Sequence, residues 1–103
     1  MNPEPLRQLD RIIHEKGRLA IMSLLAATPQ LSFTELRDTL SLTDGNLTAH
    51  IRTLHEAGYV AITKSFQGSR SLTTFALTPH GTKAFSQYID ILEQFVQEAK
   101  RDR

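Results

Sequence analysis

Apolar residues recur at helical spacing over most of the chain, and strand-like sequence is confined to residues 59–78. Leu6, Leu9 and Ile13 fall on one stripe and predict a first helix after Pro5. Gly17 reads as a break. From about Arg18 to Ala27, Leu19, Ile21, Met22, Leu24 and Leu25 surround most of a second helix, which is therefore expected to be central and nearly buried. Thr28-Pro29 ends it, because a residue before proline avoids the helical region. Ser32-Phe33-Thr34-Glu35 fits a capping box, in which serine and glutamate each satisfy a free backbone N–H. A short third helix follows, roughly Phe33 to Leu40, burying Leu36 and Leu40. Ser41-Leu42-Thr43 is a tight turn, and Thr43 is a good N-cap for a fourth helix with Asp44 in its first turn. Leu47, Ile51 and Leu54 form its apolar stripe. Ala57-Gly58 closes it, glycine being free to take the left-handed conformation.

Tyr59 to Phe66 and Leu72 to Thr78 are rich in β-branched and aromatic residues, and Gln67-Gly68-Ser69-Arg70 joins them at hairpin length. Val60 and Ile62 share one face, as do Phe75 and Leu77. Thr78-Pro79 starts a last helix to about Lys100, with Phe85, Tyr88, Ile89, Leu92, Phe95, Val96 and Ala99 on an apolar stripe. The reading is a mainly α domain over 1–103, of five helices and one hairpin, with no repeat or linker.

A short helix, a tight turn, a second amphipathic helix and a hairpin, in that order, outline a winged helix-turn-helix: residues 32–58 the helix-turn-helix, 59–78 the wing, 79–100 a C-terminal helix. Ser32-Phe33-Thr34-Glu35-Leu36-Arg37-Asp38-Thr39-Leu40, the run Leu42 to Val60 and the element Leu77-Thr78-Pro79-His80-Gly81 resemble MarR- and ArsR-like winged-helix regulators. The resemblance covers roughly Leu9 to Phe95. It implies a transcriptional regulator that binds double-stranded DNA. The cysteine pair of the metal-sensing members is absent between Phe33 and Leu40, so thiolate metal sensing does not carry over. Nor does the length allow the extra helices that enclose a ligand pocket in larger MarR-like proteins, so no cofactor is expected and an effector stays undetermined.

With Leu47, Ile51 and Leu54 facing the core, the opposite face of the fourth helix carries Gly45, Thr48, Ala49, Arg52, Thr53 and Glu56. Arg52 suits a guanine edge or a phosphate, Asn46 and Thr48 suit base edges, and Ala49 suits a thymine methyl. Asp44, His50 and Thr53 complete the expected recognition-helix set, with His50 at the edge of the apolar stripe. Lys64, Gln67, Ser69 and Arg70 form the expected wing contacts; Lys64 is the weakest, since its parity matches Val60 and Ile62. His50 and His55 are five apart and do not stack on one helix face, and His14 and His80 have no ligand-spaced companions, so no metal site is expected. No glycine-rich phosphate loop, nucleophile elbow or paired-carboxylate signature argues for an enzyme.

Composition adds limits. There are no cysteines, which excludes disulfides and thiolate chemistry. The longest apolar run, Leu19 to Ala27, is too short for a bilayer, and the sequence from Met1 to Pro5 has no signal-peptide pattern, so a cytoplasmic location is expected. The net charge of +1 neither demands nor forbids nucleic acid. A homodimer is expected, built by N- and C-terminal helices through Leu6, Leu9, Ile13, Phe85, Tyr88, Ile89, Leu92, Phe95 and Val96. The competing reading is a winged helix that binds protein instead of DNA. Arg52, Lys64, Arg70 and Arg37 on one continuous face would favour DNA, and a separated distribution would favour protein.

Overall fold

The computed structural model describes residues 4–101; residues 1–3 and 102–103 of the expected domain lie outside them. The elements run α1 (Glu4–Arg7), α2 (Lys16–Ala27), β1 (Leu31–Ser32), α3 (Phe33–Leu40), α4 (Asp44–Glu56), β2 (Val60–Gln67), β3 (Arg70–Leu77) and α5 (Pro79–Arg101). The three strands form one antiparallel sheet in the order β1-β3-β2. This is a winged helix.

The core is a single cluster. Ile21, Met22 and Leu25 of α2 meet Leu36 of α3, Leu47, Ile51 and Leu54 of α4, Val60 and Phe75 of the sheet, and Ala84 and Tyr88 of α5. α2 is therefore central, with Leu19 and Leu24 half-buried on its flanks.

The first helix is far shorter than its apolar spacing predicts. The Asp10 carboxylate accepts from the backbone N–H of Ile12 (2.8 Å) and of Ile13 (3.4 Å), and this local turn competes with helix. Leu9 and Ile13 consequently drop into the core instead of lining an external stripe. Gly17 is no break either: it lies in the first turn of α2, whose N-cap is Glu15, accepting from the Arg18 N–H at 2.8 Å. That bond, ahead of the neighbouring His50 and Arg18 charges, holds the Glu15 carboxyl below its ordinary range.

β1 was not legible in the pattern. It pairs Leu31 with Phe75 and Ser32 with Thr74, and Gln30 donates to the Thr74 hydroxyl. Ser32 ends this strand and also caps α3, with both arms of the capping box present. The start of α3 is thereby pinned to the sheet.

α5 is the longest element, and the protein is elongated. The radius of gyration is 15.6 Å, against about 13 Å for a compact chain of this length. Tyr88 of α5 is enclosed in the chain, its hydroxyl 2.6 Å from His14 Nδ1, and burial pushes its phenol pKa up. Leu9, Ile13 and Tyr88, expected at a dimer interface, therefore lie in the core of the chain instead. Leu6, Ile89 and Val96 are exposed, while Phe85, Leu92 and Phe95 are half-buried.

Candidate nucleic-acid interface

The turn between α3 and α4 is set residue by residue. Ser41 takes a left-handed conformation (φ 53°) as the C-cap of α3, and its N–H donates back to the Arg37 and Asp38 carbonyls. Leu42 N–H donates to the Arg37 carbonyl at 3.0 Å. Thr43 then caps α4, its hydroxyl accepting from the Asn46 N–H at 3.0 Å. The Arg37 guanidinium bridges Asp38 (3.0 Å) and Asp44 (3.1 Å), tying α3 to the first turn of α4. The hydrogen bond to Asp38, then that to Asp44, raises the Arg37 pKa further.

With its apolar stripe buried, α4 presents Gly45, Asn46, Thr48, Ala49 and Arg52 to solvent. Three of the expected contacts stand differently. Asp44 is engaged by Arg37, and a carboxylate there repels phosphate, so its part is to orient the two helices. His50 turns towards α2 and is half-buried, its Nδ1 3.7 Å from Glu15 Oε1. Thr53 is half-buried and its hydroxyl donates to the Ala49 carbonyl at 3.2 Å.

The hairpin stands beside this face. Gly58 (φ 81°) ends α4 in a conformation that a side chain strains, and the chain enters β2 at once. His55 Nδ1 donates to the Val60 carbonyl at 2.9 Å, which fixes the proton on that nitrogen and holds the end of α4 to the base of β2. Tyr59 donates to Asp10; burial first, and that bond, push its phenol up to about 12.

β2 and β3 pair from Val60↔Leu77 to Gln67↔Arg70 around Gly68-Ser69. Alternate residues share a face, so Lys64 lies with Val60 and Ile62 towards α4, whereas Gln67 and Arg70 lie on the other face of the tip. A cleft of about 390 Å³ between α4 and the hairpin is lined by Thr48, Arg52 and His55 from the helix and Ile62 and Lys64 from β2, over Phe33, Ile51 and Phe75. The structure thus brings Arg52 and Lys64 together. Arg70 sits further out on the other face of the hairpin and Arg37 is occupied by its two aspartates, so only Arg52 and Lys64 of the four cations share this face. The chain from Tyr59 to Pro79 contains Lys64 and Arg70 and no acidic residue. Parity makes Lys64 a stronger candidate than the sequence suggested, because the face it shares with Ile62 is the face that meets α4. Among the described residues no group of three or more His, Cys, Asp or Glu side chains is placed to hold a metal ion.

The sequence model of the winged helix DNA-binding domain family matches residues 18–96. A protein of Methanocaldococcus jannaschii described only as uncharacterized is 37% identical over 79 residues, covering 77% of this chain and 86% of that protein. Among solved structures, a transcriptional regulator homologue from Pyrococcus horikoshii superposes with a TM-score of 0.88 at 28% identity, over 93% of this chain and 97% of that one. MarR superposes with a TM-score of 0.77 at 18% identity, over 93% of this chain and 69% of its own. This last likeness is one of fold.

Proposed function

The chain belongs to the winged helix DNA-binding domain family, and from that premise we propose that it is a sequence-specific regulator of transcription that acts as a homodimer on duplex DNA. The observation that carries the reading is the uncrowded outer face of α4, with Asn46, Thr48, Ala49 and Arg52 exposed beside a hairpin whose charged residues, Lys64 and Arg70, are both cationic. α4 enters the major groove. Arg52 takes a base edge or a phosphate, Asn46 and Thr48 read base edges, and Lys64, Gln67, Ser69 and Arg70 hold backbone. Binding should be strongly salt-dependent, with a log–log slope of about −0.9 per neutralised phosphate. Titration of a random-sequence duplex library at two salt concentrations measures it. No binding at low salt would favour the protein-binding reading instead.

The dimer rests on α5. Ile89 is 39% and Val96 44% exposed, with Leu92 and Phe95 only half covered beside them, on a helix that extends beyond the core. A two-fold axis along this stripe buries it against its copy and presents two α4 helices to successive major grooves, with half-sites about one helical turn apart. Val96→Glu is expected to give a monomer by sedimentation equilibrium while leaving the secondary structure intact, since the side chain is exposed. A wild type that sediments as a monomer at tens of micromolar would remove the dimer and the palindromic site together.

A further inference from the structure

At 76% exposure, Phe66 is the most exposed of the large apolar side chains in the described residues, and it packs against neither the core nor another aromatic ring. Its position in the hairpin is specific. The pairs Val60↔Leu77, Ile62↔Phe75, Lys64↔Thr73 and Phe66↔Ser71 lie on one face of the two strands. The row starts in the core at Val60, passes Ile62 and Lys64 on the cleft shared with Arg52, and ends at Phe66 beside the Gly68-Ser69 turn. Phe66 therefore lies on the face of the wing that looks towards α4, at its outermost point. Arg70 is one pair further on, opposite Gln67, and therefore on the other face of the hairpin from Phe66. A partner of this tip would meet a planar apolar ring on a hairpin whose own formal charges are all positive, since residues 59–79 contain Lys64 and Arg70 and no acidic residue. Duplex DNA complements that combination: stacked bases behind a rail of phosphates.

We propose that Phe66 is a wedge that enters the minor groove beside the α4 site and partly unstacks one base step, so that the protein bends its target and reads flanking sequence through deformability. Apolar side chains inserted at a step kink a duplex in this way, and pyrimidine–purine steps yield most readily. Lys64 and Arg70 hold the phosphates on either side while the ring enters. α4 then reads bases directly, and the wing reads the stiffness of the step it opens. The inference rests on the duplex-DNA reading above.

The test uses full-length protein and duplexes that it recovers from a random-sequence library. The wild type is expected to enrich TA or CA/TG steps at a fixed distance outside the core sequence. Phe66→Ala should keep the core sequence and lose that enrichment. Its affinity for a duplex with a flanking TA step should fall about tenfold, equivalent to about 1.4 kcal/mol, with little change when an A-tract replaces the step. Energy transfer between end labels should report a bend with wild type and a straighter duplex with Phe66→Ala. A 2-aminopurine placed at the step should brighten only when the ring is present, and Phe66→Leu should restore part of each signal. Equal bending and equal flank enrichment for wild type and Phe66→Ala overturn the wedge while leaving DNA binding in place. Weaker self-association of Phe66→Ala with unchanged bending assigns the ring to a second copy and also overturns it. Recovery of no duplex by the wild type overturns the DNA reading itself, and the wedge with it.

Discussion

Replacing Gly81 by alanine is expected to lower the thermal midpoint by about 12–24 °C, corresponding to about 3 kcal/mol at the upper end of ordinary overpacking costs. Gly81 lies in the first turn of α5 and is buried against the start of the hairpin. A Cβ there would stand 2.1 Å from the Tyr59 carbonyl oxygen, 2.8 Å from its carbon and 3.0 Å from its Cα. These are backbone atoms, which cannot swing aside as a side chain can. The same carbonyl accepts from the Thr78 N–H at 3.0 Å. Thr78 also donates its hydroxyl to the Gly58 carbonyl at 2.6 Å and accepts from the Gly81 N–H at 2.9 Å. Relief of the contact must move α5 away from the hairpin base and loosen this knot. Helix propensity alone would make the substitution stabilising by about 1 kcal/mol, so the sign of the measured change decides between the two effects. Gly45→Ala is the control, since nothing lies within 4 Å of the Cβ it would add. Circular dichroism melts of both variants provide the check. A midpoint for Gly81→Ala at or above that of the wild type would contradict the close approach.

Features set by neighbouring residues were legible in the sequence. The capping box at Ser32 and Glu35, the Thr43 cap, the left-handed Gly58 and the Thr78-Pro79 start of α5 each depend on a few consecutive residues, and each is present. α3 runs from Phe33 to Leu40, as its pattern predicts. What failed was periodicity used where too few residues carry it. Leu6, Leu9 and Ile13 have helical spacing, but Asp10 satisfies the following N–H groups from its side chain and the helix stops at Arg7. The local signal was Asp10 itself, a residue that favours turns. β1 is two residues long and has no period; only its partner Phe75, distant in sequence, makes it a strand.

The candidate site divides in the same way. The buried stripe of α4 fixed its outer face, so Asn46, Thr48, Ala49 and Arg52 could be named from spacing. Asp44 and His50 could not be sorted by spacing, because their partners Arg37 and Glu15 belong to other elements, nor could Thr53, whose hydroxyl bonds back to the Ala49 carbonyl. Phe66 shares the parity of Lys64, but parity alone does not single it out. Its conspicuous property is exposure, which the sequence does not display.

Two residues of α4, separated by one position, should respond oppositely to truncation. Leu54 is fully buried in the core cluster. Leu54→Ala removes apolar contacts and leaves a cavity that such a core fills only in part, at a cost of about 2–5 kcal/mol. A domain of this size is stable by about 5–15 kcal/mol, so the variant should melt far lower, and at the upper end of the cost it should be partly unfolded at 25 °C. Arg52 is exposed on the opposite face and shows no ion pair with a carboxylate among the described residues. Arg52→Ala should shift stability by no more than about 0.5 kcal/mol, as for an ordinary surface site. On the DNA reading it should nevertheless weaken binding to a selected duplex by about 1–3 kcal/mol, the worth of a good base contact. The distinguishing measurement pairs a thermal melt with a binding isotherm for each variant. Loss of binding by Leu54→Ala should follow its loss of folded protein and recover on cooling towards the temperature of greatest stability. That of Arg52→Ala should persist at every temperature where the protein is folded. Equal melting losses for the two variants would mean that α4 is rotated from the orientation described. A normal melt and normal affinity for Arg52→Ala would take this side chain out of the interface and leave the groove to Asn46, Thr48 and Ala49.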